Sequence, residues 1–139
     1  MMSQNYENHI RWNKAYHFIT VPVILIACGI AIYNFSQLQT LTNALVVFAF
    51  VMIGITIGFA RFFALKVQDR AARADERLRY YILAGKMLPS ELKMSQILAL
   101  RFASDEEFLA LIDRTLKENL SSKEIKFSIK NWRGDYHRI

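Results

Sequence analysis

The sequence predicts an all-α integral membrane protein: a two-helix transmembrane hairpin followed by a small cytoplasmic helical domain. Three observations predict it. No Asp or Glu occurs between Glu7 and Asp69. Inside that window lie two long apolar runs, residues 17–35 and 41–65, separated by the uncharged polar link 36–40. Each run is long enough to cross a hydrocarbon layer of roughly 30 Å at about 1.5 Å per helical residue. Elsewhere, no stretch alternates apolar and polar residues with period two for long enough to argue for a strand. The expected organisation is a cytoplasmic N-terminal segment over residues 1–16, the hairpin over 17–65 and the helical domain over 66–139.

The N-terminal segment is polar with interleaved aromatics. Trp12, Tyr16, His17 and Phe18 have the composition of an interfacial belt, where amphipathic rings settle at headgroup depth. Pro22 falls near the start of the first span, where a missing N–H is tolerated. A link as short as 36–40 makes the two spans antiparallel neighbours.

The second span is expected to continue beyond the apolar run. From Arg61 to Ala84 there is neither Gly nor Pro, and the residues are good helix formers. One helix is predicted from near Leu41 to near Ala84, stopped by Gly85. Opposite charges at i,i+3 and i,i+4 support it: Asp69 with Arg73, Glu76 with Arg79, and Asp75 with Arg79.

Three amphipathic helices are expected after Gly85. Ser90 caps the first, with Met94, Ile97, Leu98 and Phe102 at helical spacing. Ser104 followed by Asp105-Glu106-Glu107 reads as a capping-box start, burying Phe108, Leu109, Ile112, Leu116 and Leu120. Ser121-Ser122-Lys123-Glu124 opens the last, with Ile125, Ile129 and Trp132 on one face.

Charge decides the orientation. Arg11 and Lys14 precede the first span, and Arg61, Lys66, Arg70 and Arg73 follow the second. Basic residues beside span ends are retained in the cytoplasm, so both termini are expected there, with the link outside. No small-x-small cleavage site follows the first run, which favours a retained span over a signal peptide. Cys28, the one cysteine, lies in that span and reads as a packing residue.

Motifs for chemistry are sparse. His9, His17 and His137 are scattered and make no ligand spacing with each other or with Cys28, so no metal or other cofactor is expected. No serine sits in a glycine-flanked elbow, and the five glycines form no phosphate-binding pattern. The carboxylates Asp105, Glu106 and Glu107 read as helix-start residues. No catalytic residue is assigned, and a non-enzyme is expected.

Association signals are stronger. Gly54, Thr56 and Gly58 form a G-x-x-x-G with an intervening hydroxyl, and Ala27 and Ala31 repeat the small-residue spacing on the first span. These faces serve either the intrachain hairpin or contacts between molecules. Arg61, Lys66 and Arg73 are placed to meet anionic lipid headgroups. Residues 123–138 mix Lys and Arg with Phe127, Trp132 and Tyr136. Their interspersed acids favour a docked amphipathic tail over nucleic-acid binding.

Four stretches, ALKVQDR from Ala64, ERLRY from Glu76, QILALRFASDEE from Gln96 and IKNWRGDYHRI from Ile129, resemble an uncharacterised family of small bacterial membrane proteins. That family is a domain of unknown function with two predicted spans and a helical cytoplasmic part. The resemblance implies a bacterial inner-membrane location and no particular activity. Within the shared stretches, Asp69, Arg70, Glu76, Arg101, Asp105, Trp132, Arg133 and His137 stand out as candidates for interaction or structural bridging. Arg101 and Arg133 are expected to bridge carboxylates such as Asp69 or Glu76.

The expected function is that of a non-catalytic accessory or scaffolding subunit in a homo- or hetero-oligomeric complex of the bacterial inner membrane. Its expected partners are membrane lipid and either another protein or further copies of itself, with nucleic acid not expected. The alternative is a membrane-tethered binding module whose basic cytoplasmic helices recruit anionic lipid or a cytosolic polyanion.

Overall fold

The computed structural model describes residues 4–9 and 12–135. Arg11, Tyr136 and His137, singled out above, lie outside those residues. Helices account for 74% of the described chain and no strand occurs among the described residues, so the fold is all-α. Two of the helical stretches, Tyr16–Gln37 and Leu41–Ala84, are long and apolar enough to cross a membrane. The chain divides into two units, Trp12–Leu65 on the one hand and Met1–Arg11 with Lys66–Ile139 on the other.

In the unit Trp12–Leu65, a π-helical turn, Tyr16–Thr20, leads into α1, Val21–Gln37. Residues 14 and 15 are already helical, so Pro22 sits inside a helical run instead of at its start. The wider turn explains how: a proline ring collides with the carbonyl four residues back in a regular α-helix, and a π turn moves that carbonyl aside. At the link, Thr40 Oγ1 accepts from the Asn43 N–H at 3.2 Å, capping the start of α2, Leu41–Ala84. The Asn43 side chain also donates to the Leu38 carbonyl at 2.7 Å.

Helix α2 ends as its composition dictates. Gly85 adopts φ +66°, a left-handed conformation that costs L side chains about 1 kcal/mol, and its N–H closes the last turn on the Tyr81 carbonyl.

The other unit adds α3 (Met94–Leu100), α4 (Asp105–Glu118) and α5 (Ser122–Ser128). Their apolar faces enclose one core of Ile97, Leu100, Phe102, Phe108, Ile112 and Ile125, joined by Tyr80 of α2. Helix α3 starts three residues later than a cap at Ser90 suggests. Its cap is Lys93, whose N–H is received by the Gln96 side chain at 2.8 Å, while Gln96 Nε2 donates to the Leu120 carbonyl. In α4 the buried stripe includes Leu111 and Thr115, whereas Leu116 is exposed, a rotation of the expected face by one residue.

Helix α5 opens where expected, and with a capping box: Ser121 N–H to Glu124 at 2.7 Å, and Glu124 N–H to Ser121 Oγ at 3.3 Å. It ends at Ser128, short of Trp132. Instead of continuing the helix, the tail runs extended beside residues 102–104. Arg133 N–H bonds the Phe102 carbonyl at 2.7 Å, and Ala103 and Trp132 form an isolated antiparallel bridge.

Candidate functional site

Two carboxylates of the second unit converge on Arg79. Positions 76 and 79 share a face of α2, and Asp105 is the first residue of α4. From there Arg79 reaches Glu76 at 3.1 Å, Asp105 at 2.6 Å and the Ala103 carbonyl at 2.7 Å. Its guanidinium also lies over the Phe108 ring, 4.0 Å from the centroid. Arg79 and Glu76 are both buried, while the Asp105 side chain is 61% exposed. A planar five-donor fork suits this task, since one side chain answers two carboxylates and a carbonyl while stacking on an aromatic face.

This arrangement revises the expected bridging. Arg79, expected to pair along its own helix, also ties α2 to α4 across 26 residues of sequence. Asp69–Arg73 and Asp75–Arg79 form no ion pairs among the described residues. Arg101 pairs with Asp135 at 3.4 Å, and not with Asp69 or Glu76, because the extended tail carries Asp135 to it.

The Ser104 box is also replaced. Ser104 N–H is taken by the Asn131 carbonyl, which leaves the Glu107 carboxylate to receive the N–H groups of Lys130 and Asn131 at 3.2 and 3.0 Å. A helix-start acid thus fastens the tail. The N-terminal segment adds to the same surface: the His9 ring lies 5.7 Å from that of Trp132 and 5.8 Å from that of Phe102. Gln4 Oε1 receives the Asp135 N–H at 2.8 Å. No periodicity in residues 1–16 signals this docking.

Beside Glu76 opens a cleft of about 410 Å³, lined by Gln68, Asp75, Glu76, Arg101, Arg133 and Asp135 among others. A shallower one of about 310 Å³ adjoins it and shares Asp75, Glu76 and Arg133. Burial pushes the Glu76 carboxyl above its ordinary range, opposed by the positive charges of Arg79, Arg133 and Arg101. Arg101 and Arg133 therefore meet Glu76 through the field and not through contact. Beside Ala71, Ala72 and Gly134, the lining offers guanidiniums, carboxylates and an amide, suited to electrostatic recognition of a group carrying both signs. No group of three or more His, Cys, Asp or Glu among the described residues is placed to hold a metal ion.

The remaining candidates separate. Gly54 faces Ile24, whose Cγ2 lies 3.7 Å from where a Cβ would stand, whereas a Cβ at Gly58 would meet nothing within 4 Å. Ala31 is buried, Ala27 half-buried, and Thr56 is exposed with its hydroxyl on the Met52 carbonyl. Of the expected headgroup cations, Arg61 lies over the Tyr16 ring at 5.3 Å and Lys66 is exposed. Arg73 is half-buried, with Nε out of reach of solvent. Arg70 is the exposed arginine nearby.

A family model described as a family of unknown function (DUF6526) matches residues 1–139, and the chain belongs to that family. No match was found among curated proteins or among solved structures.

Proposed function

We propose that this member of the family is a membrane-anchored, non-catalytic scaffold: an accessory subunit whose hairpin, residues 17–65, lies in the bilayer of a bacterial inner membrane. Residues 66–139 then form its cytoplasmic helical domain, with both termini on that side. One observation carries the reading. The apolar stretch of α2 that qualifies as a span has no buried residue, and that of α1 is almost as bare. Leu25, Ile26, Leu45, Phe48 and Phe59 are all more than half exposed. Monomeric soluble proteins rarely leave so large an apolar surface uncovered, and lipid is the solvent that removes the penalty.

The basic residues after the second run favour the cytoplasmic side for the helical domain. Support for a scaffolding role comes from how the charges are used: the buried Arg79 and Glu76 and the half-buried Glu107 are engaged in holding α2, α4 and the tail together. Purification in gentle detergent followed by mass determination of the intact assembly tests this. A defined multiple of the chain, or the chain with a stoichiometric partner, is expected; a lone chain at every detergent concentration would refute it.

A second reading, a tethered module for anionic headgroups or polyanions, is favoured by one feature. Arg133 lines both clefts, is exposed, and forms no ion pair among the described residues. Reconstituted full-length protein would then bind anionic over neutral vesicles in a salt-sensitive manner.

A further inference from the structure

The face of α2 opposite the core carries an apolar seam that none of the described residues buries. Within the second unit, Ala72, Glu76, Arg79 and Tyr80 turn toward the core and are buried or half-buried. Half a turn away, Val67, Ala71, Ala74, Leu78 and Tyr81 are all exposed, Val67 and Leu78 at 65% and 60%. Their spacing is 4, 3, 4, 3, the heptad alternation of a coiled-coil seam, not the broader stripe of a core-facing helix. In sequence the same alternation continues upstream through Ala64, Ala60, Ile57 and Ile53.

We infer that this seam is a parallel, self-complementary coiled-coil contact with a second copy of the chain. With Ala71 and Leu78 at a and Val67, Ala74 and Tyr81 at d, Arg70 and Arg77 take g positions and Gln68 and Asp75 take e positions. In a parallel pair, each g residue meets the e residue five positions on in the partner. Arg70 therefore meets Asp75 of the other copy, twice by symmetry. Neither residue has an ion pair or side-chain hydrogen bond among the described residues, so both are available. An antiparallel pair would set arginines 70 and 77 of the two copies against each other, which disfavours it. The flanking charges also exclude hydrocarbon as the cover for this part of the helix, and the alanines at a and d let two backbones approach closely.

The inference deepens the scaffolding reading and rests on it only for the shared orientation of the two copies. The test uses full-length chains in native membranes, in a Cys28→Ala background, with single cysteines oxidised to disulfides. Ala74→Cys and Leu78→Cys should give dimers linked at identical positions, whereas Lys123→Cys, on α5, should not. Arg70→Glu or Asp75→Arg in the Ala74→Cys chain should weaken association about tenfold at low salt, since two contacts change from attraction to repulsion. Combining them should restore it. Equal cross-linking at seam and control positions, or no effect of charge reversal and no rescue, would overturn the inference. Release of the chain from membranes by alkali, scored in the same samples, would instead overturn the membrane reading and leave the cross-linking result to be judged by itself.

Discussion

Replacing Arg79 by Met should loosen the second unit more than any exposed charge change, and the magnitude follows from its contacts. The Ala103 carbonyl belongs to a residue with no exposed surface and would lose its side-chain donor, a loss of about 1–2 kcal/mol. Glu76, 7% exposed, would stay buried without its nearest cation, adding about 1–2 kcal/mol. Asp105 is mostly solvated, so its pair adds less than about 1 kcal/mol. Met keeps much of the contact with Phe108. The sum is about 3 kcal/mol, or roughly a hundredfold in the open population.

The loss should depend on pH. Glu76 already has a raised pKa because burial disfavours its charge, so the folded state holds that proton more tightly than the unfolded chain. Its contribution is therefore most favourable below the ordinary carboxylate range and is lost as pH rises through the folded value. Removing Arg79 removes the largest opposing charge, so the window moves to higher pH and the variant should recover on mild acidification. Pulse proteolysis of detergent-solubilised full-length protein, read at pH 7 and 5, measures both effects. A difference from wild type below about 1 kcal/mol at pH 7, or a penalty unchanged at pH 5, would refute the reasoning.

Gln96→Leu should destabilise the second unit by about 2 kcal/mol, because it leaves the Lys93 N–H and the Leu120 carbonyl without the amide that joins them; denaturant titration of Trp132 fluorescence in a Trp12→Phe background checks it. Glu107→Ala should release the tail, costing about 1–2 kcal/mol and exposing the bonds near Asn131 to limited proteolysis, with Glu107→Gln intermediate. Gly85→Ala should cost about 1 kcal/mol from its left-handed φ alone, since a Cβ there meets nothing within 4 Å; the same denaturant titration measures it.

The long elements were readable in the sequence for local reasons. An unbroken run of helix formers from Arg61 to Ala84 and a glycine at 85 define one helix end, and the Ser121–Glu124 box defines another. What escaped depends on partners distant in the chain. Arg79 has acids at three and four residues on its own helix, yet its second carboxylate, Asp105, lies 26 residues away. Ser104 and Glu107 have the spacing of a capping box, but residues 130 and 131 compete for the same groups and win. Trp132 has helical spacing from Ile125 and Ile129, but backbone pairing with residues 102–104 straightens the chain first. The docking of His9 against Phe102 and Trp132 leaves no periodic trace, because an irregular segment has none. The seam from Val67 to Tyr81 is not among the sequence readings, because only the burial of the opposite face separates its heptad spacing from a core stripe.

The proposed scaffolding function depends on residues 17–35 and 41–65 residing among lipid tails with residues 1–16 and 66–139 in the cytoplasm. Labelling of single cysteines in intact cells by a membrane-impermeant thiol reagent, in the Cys28→Ala background, asks this most directly. Gln39→Cys, in the link, should label in intact cells, and Lys123→Cys should label only after the membrane is opened. Labelling of Lys123→Cys in unopened cells, or recovery of the chain in the aqueous fraction without detergent, would contradict it.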